Sequence, residues 1–340
     1  MTGSSVGQAI LMRIQDDFPL CHAPYDALAQ SLCCTRDEAF HTVQELRTAG
    51  IIRRIGASYA ANKLGYTSAL VAAEVDVHDL PMVVSRINRY PEVTHNYERE
   101  GTFRLWFTLI AASNIRMAEI VRELQQNAGI LALHVLPAQR VFKIAVRFPL
   151  SAAGGNTQPV PDNADESPIT VDVVDKCIIA RTCFDIDNSF HPFQHMAQEL
   201  DMDEDTLLAR LQHYRRHGAM RRFGAMVRHQ MAGMRGNALT VWNVPDTMVA
   251  TVGKVFASNP AISHCYERPC FSGWPYNLYA MVHSKTMDDC RDIFEHLKAT
   301  IKPATADFLP SKHEYKKTSM VYFTEDTHGI MCGDSFPWME

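Results

Sequence analysis

Apolar residues near the N-terminus recur at helical spacing, with Ile10, Leu11 and Ile14 sharing one face. Pro24 to Leu32 suits a short second helix with Pro near its start. Thr35-Arg36-Asp37-Glu38 has capping-box form and opens a third helix to Ala49, which Gly50 ends. The period then changes to two. Ile51–Tyr59 and Ser68–Val75 read as strands joined by a turn around Asn62–Gly65. Three short helices and a two-stranded wing predict a winged helix-turn-helix. From Ser68 onward the order is β-α-β-β-α-β, a ferredoxin-like module. Its helices cover Leu80–Arg89 and Ile115–Asn127, and its later strands Val93–Arg99, Phe103–Ile110 and Ala132–Val146.

The same pattern then begins again. Arg53-Arg54-Ile55-Gly56-Ala57 returns as Arg221-Arg222-Phe223-Gly224-Ala225. Pro91-Glu92-Val93-Thr94-His95-Asn96-Tyr97-Glu98-Arg99 returns as Pro260-Ala261-Ile262-Ser263-His264-Cys265-Tyr266-Glu267-Arg268, and Leu136-Pro137 as Leu309-Pro310. The matches keep their order at a spacing of roughly 170 residues, so the chain is a tandem duplication. Second-copy helices are expected near Val171–Arg181, Pro192–Leu200 and Glu204–His217. The fold class predicted is α+β: two tandem copies of a winged helix-turn-helix plus ferredoxin-like module, paired about a pseudo-twofold axis. The expected domains are 1–65 and 66–150 for the first copy, a linker at 151–168, 169–233 and 234–325 for the second, and a tail at 326–340. The linker reads SAAGGNTQPVPDNADESP, with almost nothing to bury.

Composition narrows the function. Lys+Arg is 33 against Asp+Glu 38, a net charge of -5, which argues against a protein held to nucleic acid by bulk charge. No apolar run approaches the ~18–20 residues of a membrane span, and no membrane association is expected. The N-terminus lacks the basic-then-apolar order of a secretory signal. The nine Cys include no Cys-x-x-Cys pair, so a reduced, cytoplasmic protein without a structural zinc or iron–sulfur site is expected. His191, His195, His213 and His217 stand at i, i+4 spacing but have ordinary polar neighbours, and they read as surface residues rather than metal ligands.

A winged helix joined to a ferredoxin-like domain resembles the Lrp/AsnC transcription regulators. A regulator responsive to heme or another tetrapyrrole is therefore the alternative to an enzyme. The third helices weaken it, since Asp37-Glu38 and Asp203-Glu204-Asp205 would face phosphates at a groove. His264-Cys265-Tyr266-Glu267-Arg268-Pro269 and Trp274-Pro275-Tyr276-Asn277-Leu278-Tyr279 resemble the siroheme decarboxylases. So does Arg221-Arg222-Phe223-Gly224-Ala225 with Arg228-His229 and Gly233 after it. Arg53-Arg54-Ile55-Gly56-Ala57, Lys63-Leu64-Gly65-Tyr66, His95-Asn96-Tyr97-Glu98-Arg99 and Leu105-Trp106-Phe107-Thr108 resemble the partner subunit of that family, so the chain is similar to a fused form. One departure is Phe103-Arg104 where the second copy has Tyr276-Asn277, and it puts a first-copy site in doubt.

The resemblance implies removal of the C12 and C18 acetate carboxyls of siroheme, giving 12,18-didecarboxysiroheme for heme d1 or alternative heme synthesis. The substrate is a flat ring crowded with carboxylates, so its pocket calls for Arg forks and aromatic faces. The expected substrate-binding residues are Arg221, Arg222, Arg228, Tyr266, Arg268, Trp274, Tyr276 and Asn277. Arg53, Arg54, His95, Tyr97 and Arg99 join them from the first copy. Loss of carbon dioxide leaves an electron pair on the exocyclic carbon, which must take up a proton. His264 and His229 are the expected donors, because imidazole titrates near neutrality. His283 and His313 read as packing or surface residues that at most ligate iron. No cofactor is expected, since the iron arrives with the substrate. Copy one is left for support or for a regulatory heme. The two copies are expected to pair within one chain, and association of further copies stays open.

Overall fold

A computed structural model describes residues 5–126, 129–144, 168–227 and 236–324. The expected linker and tail fall almost wholly outside the described residues. The first copy runs α1 (Ser5–Asp16), α2 (Pro24–Leu32), α3 (Arg36–Thr48), β1 (Ile52–Tyr59), a 3-10 turn at Ala61–Leu64, β2 (Thr67–Val75), α4 (Leu80–Asn88), β3 (Val93–Arg99), β4 (Leu105–Ala111), α5 (Asn114–Gln125), β5 (Ile130–Pro137) and β6 (Arg140–Ile144). The second runs α6 (Val173–Thr182), α7 (Pro192–Glu199), α8 (Glu204–Arg216), β7 (Met220–Val227), β8 (Gly236–Asn243), α9 (Asp246–Ser258), β9 (Ile262–Glu267), β10 (Leu278–Ser284), α10 (Met287–Ile301) and β11 (Thr305–Lys317). The capping box opening α3 forms, with Thr35 and Glu38 bonding each other's main chain. None of the helices among the described residues is long and apolar enough to cross a membrane.

These elements gather into two compact units, each built from corresponding parts of both copies. The described residues of one fall within 1–65, 166–232 and 321–340, and those of the other within 66–165 and 233–320.

In the helical unit the expected wing takes a different form. β1 does not pair with β2; it pairs antiparallel with β7 of the other copy, Gly56 opposite Gly224. Both edges of β2 are taken, by β4 and by β5. The first turns of α3 and α8 meet loops of the opposite copy. The Arg36 guanidinium lies 4.5 Å over the Phe190 ring. His22 bonds Glu204 through Nδ1 and Asp205 through Nε2, each at 2.9 Å.

Those carboxylates, Glu204 first, raise the His22 pKa above its ordinary 6.5. The stabilisation is therefore fully present below that ordinary value and is lost as pH rises through the raised one. His22→Gln is expected to flatten the melting temperature against pH on the alkaline side of about pH 6.5. Parallel wild-type and variant profiles across that range would contradict the linkage.

The other unit is one nine-stranded sheet, ordered β5-β2-β4-β3-β11-β8-β10-β9-β6. Each copy contributes the four-stranded order expected of a ferredoxin-like module, and the two join where the last strand of each crosses to the other. The single strand expected over Ala132–Val146 is divided into β5 and β6. Pro137 has no N–H to continue the ladder with β2, and the chain crosses to β9, beginning with Gln139 N–H donating to Glu267 O at 2.8 Å. β6 then sets Val141 against Tyr266 and Lys143 against Cys265. In the mirror position, the end of β11 sets Glu314 against Tyr97 and Lys316 against Asn96. The crossing lysines do the same work in each copy. Lys143 Nζ donates to Asn259 O at 2.7 Å after α9, and Lys316 Nζ to Asn88 O at 2.9 Å at the end of α4.

Helices cover one face of this sheet. Val71, Leu105, Phe107 and Leu109 pack under α4 and α5, and Trp242, Leu278 and Val282 under α9 and α10. The opposite face has its own apolar cluster, Ala72, Trp106, Leu136, Leu239, Val241, Trp274, Tyr279 and Leu309, drawn from both copies.

Candidate active site

Side chains alternate across a strand, so His95, Tyr97 and Arg99 share one face of the sheet, as do His264, Tyr266 and Arg268. Register identifies that face. Tyr97 lies opposite Trp106 and Tyr266 opposite Tyr279, both members of the shared apolar cluster. Each copy thus presents an imidazole–phenol–guanidinium stripe on the face away from the helices. The His264 and Tyr266 rings are 6.2 Å apart and nearly parallel, and His95 and Tyr97 repeat this at 6.4 Å. Arg268 lies 4.6 Å over the Tyr266 ring, and Arg99 5.2 Å over Tyr97.

The imidazoles are half-buried, and each has a hydroxyl beside Nδ1. Ser263 Oγ lies 2.9 Å from His264 Nδ1, and Thr94 Oγ1 3.0 Å from His95 Nδ1. The Ser263 hydroxyl also lies 3.5 Å from Met281 O. Burial and the Glu314 carboxylate, 3.0 Å from the Tyr97 hydroxyl, raise the Tyr97 pKa and keep the phenol protonated.

Arg99 and Arg268 are buried, and each ties its stripe to the other copy. Arg99 Nη1 donates to Leu309 O at 3.0 Å, and Arg268 Nη1 donates to Leu136 O. Burial lowers the pKa of both, Arg99 to about 10, which still leaves it charged at neutral pH. Nε of each has no hydrogen-bond partner among the described residues.

Several of the expected substrate contacts make hydrogen bonds within the chain. Arg54 and Arg222 do turn inward, but onto main chain. Arg54 Nη1 donates to Phe184 O at 3.5 Å, just past the end of α6, and Arg222 Nη1 donates to Gln15 O in the last turn of α1. Arg53 and Arg221 are exposed. All four fall in the helical unit. Trp274 is 9% exposed, packed against Phe103 and Trp106, with its indole N–H on the Tyr279 hydroxyl at 2.9 Å. It belongs to the apolar cluster on the sheet face that carries His264. Asn277 is likewise buried, bonding both the N–H and the C=O of Val244 as a strand neighbour would. Tyr276 is half-buried against Trp274, and burial raises its pKa. Arg228 and His229 lie outside the described residues.

The sheet face beside His264 also carries polar residues that the expected set omits. Ser311 lies opposite Arg99, and Asn237 opposite His283. Their signal was the duplication itself, because these polar positions stand where the first copy has Ala138, Ser68 and Ile110. Among the described residues no group of three or more His, Cys, Asp or Glu side chains is placed to hold a metal ion.

Comparison with known proteins agrees with this architecture. A family model for the AsnC-like ligand binding domain matches residues 63–143 and 231–316, and one for the siroheme decarboxylase NirDL-like HTH domain matches 8–53. The siroheme decarboxylase of Hydrogenobacter thermophilus is 33% identical over 93% of this chain and 95% of its own length. The siroheme decarboxylase beta subunit of Methanosarcina barkeri is 40% identical over 38% of this chain and 85% of its own. The crystal structure of the siroheme decarboxylase NirDL in co-complex with an iron-uroporphyrin III analogue superposes with a TM-score of 0.73 at 29% identity. It covers 95% of this chain and 96% of that one.

Proposed function

Because this chain belongs to the siroheme decarboxylase family, whose members are carboxy-lyases, we propose that it converts siroheme to 12,18-didecarboxysiroheme. Each step releases one acetate carboxylate as carbon dioxide. The electron pair of the broken C–C bond passes into the conjugated ring, and a proton completes the new methyl group. No oxidant or reductant enters this balance, so the chain's task is to hold the ring and deliver the proton. The observation that carries the reading is the His264–Tyr266–Arg268 stripe and its first-copy counterpart on one sheet face, with half-exposed imidazoles beside buried guanidinium groups.

His264 as imidazolium gives up the Nε2 proton and becomes neutral imidazole, Ser263 stays beside Nδ1, and a proton from solvent restores the imidazolium. His229 is retained as second donor on its place in the sequence. Arg99 and Arg268 set a positive field for the substrate's permanent carboxylates. The scissile arm lies away from them, since a cation on the departing carboxylate would stabilise the ground state. The product feeds heme d1 or an alternative heme route. A cytoplasmic setting is part of this proposal.

No observation favours the DNA-binding alternative. The third helices α3 and α8 open on acidic residues, and at α8 Glu204 and Asp205 are held by His22. Anaerobic incubation with siroheme and mass analysis tests the proposal. Loss of two carbon dioxides is expected, and recovery of intact siroheme from folded protein that binds it would overturn the reading.

A further inference from the structure

The two copies present matching His–Tyr–Arg stripes on one sheet face, and they differ in the row of residues beside them. Leu309 of β11 and Leu239 of β8 lie opposite each other on this face. Two residues further along each strand, Ser311 and Asn237 return to the same face. Arg99 flanks Ser311 across β3, and His283 flanks Asn237 across β10. A polar row thus crosses four strands. Met281, two residues from His283, lies directly opposite His264, so the row runs beside that imidazole. The matching first-copy row is Arg268, Ala138, Ser68 and Ile110, mostly small or apolar.

The second-copy row is short of partners. Arg99 is 3% exposed, and no carboxylate among the described residues pairs with it. Arg99 Nε, Ser311 Oγ and Asn237 Oδ1 are buried atoms with no hydrogen-bond partner among the described residues. A buried guanidinium without a counter-ion is costly, and so is each unmet polar atom. One carboxylate would relieve all of them. It would accept from Arg99 Nε–H, from the Ser311 hydroxyl, and from the Asn237 amide turned through 180°.

We propose that Asn237, Ser311 and His283, together with Arg99, anchor a peripheral carboxylate of the tetrapyrrole beside His264, and that the first copy lacks this anchor. The inference rests on the tetrapyrrole reading and adds the residues that orient the ring. Asn237, Ser311 and His283 are positioning residues in this account, and His264 remains the proton donor. One productive cleft per chain follows.

The test gives the second copy the first copy's residues: Asn237→Ser, Ser311→Ala and His283→Ile in one chain. Iron-uroporphyrin III serves as the binding probe and siroheme as the substrate. Kd for the porphyrin is expected to rise about 10- to 100-fold, the usual effect of losing bonds to a charged group, and KM for siroheme to rise with it. Ser311→Ala alone, a milder change that keeps the fold, is expected to weaken binding about 5-fold. The mirror variant, Ser68→Asn, Ala138→Ser and Ile110→His, leaves Kd for the second-copy cleft unchanged. Wild-type affinity in both the folded triple variant and Ser311→Ala would overturn the anchor. If the wild type binds iron-uroporphyrin III but leaves siroheme intact, the decarboxylase reading fails, and the anchor is judged on Kd alone.

Discussion

His264→Ala is expected to fold, to bind the tetrapyrrole with near wild-type affinity, and to turn over at least about 10²-fold more slowly. The side chain is half-buried on the sheet face, and its removal empties a site already open to solvent, so the structural cost is small. The kinetic cost is large because the imidazole acts only when the C–C bond breaks and the ring carries the extra electron pair. A group used only at that point affects kcat far more than Kd. Ser263→Ala keeps the imidazole but frees Nδ1, and a smaller loss with an altered pH profile is expected. His95→Ala is the internal control. His95 has the same hydroxyl contact, at 3.0 Å from Thr94, but no polar row beside it. Equal losses in His95→Ala and His264→Ala would assign proton delivery to both clefts, and wild-type turnover in His264→Ala would remove it from the mechanism.

Gly56→Ala and Gly224→Ala are each expected to destabilise the helical unit by about 1–3 kcal/mol through overpacking. These residues pair with each other in the two-stranded ribbon. A Cβ on Gly56 would sit 2.5 Å from Phe184 O and 2.8 Å from Thr182 O at the end of α6, and one on Gly224 would sit 2.5 Å from Ile14 O in α1. These are main-chain atoms of helix ends, which cannot turn aside as a side chain can. Arg54 and Arg222 hold the same helix ends by donating to their carbonyls, where a cation is also favoured by the helix dipole. The repeated Arg-Arg-x-Gly-Ala segment is thereby explained as a clamp between copies. Because one shift of the ribbon relieves both contacts, the double variant should cost less than the sum of the singles. Unchanged denaturant midpoints in both single variants would contradict the close approach.

The duplication, the element order and the His-Tyr-Arg stripes were legible in the sequence, because each leaves a local trace. Alternation puts His264, Tyr266 and Arg268 on one face whatever the strand pairs with. The choice of pairing partner left no such trace. β1 fits an internal hairpin and a pairing with its own repeat equally well, and the hairpin is excluded because β4 and β5 occupy both edges of β2. Arg54 and Arg222 look like anion ligands in a sequence because the carbonyls they bond belong to the opposite copy. The sequence does not show how deeply Trp274 and Asn277 lie, because the loop between β9 and β10 that buries them packs against residues distant in the chain. The row at Asn237, Ser311 and His283 escaped notice because three strands far apart in the chain bring it together.

Decarboxylation in D2O, followed by mass and NMR analysis of the tetrapyrrole, tests the central claim most directly. Proton delivery to the exocyclic carbon predicts a product that has lost two carbon dioxides and carries one deuterium in each new methyl group. A product without carbon-bound deuterium in those methyls, or an oxidised side chain in their place, would contradict it.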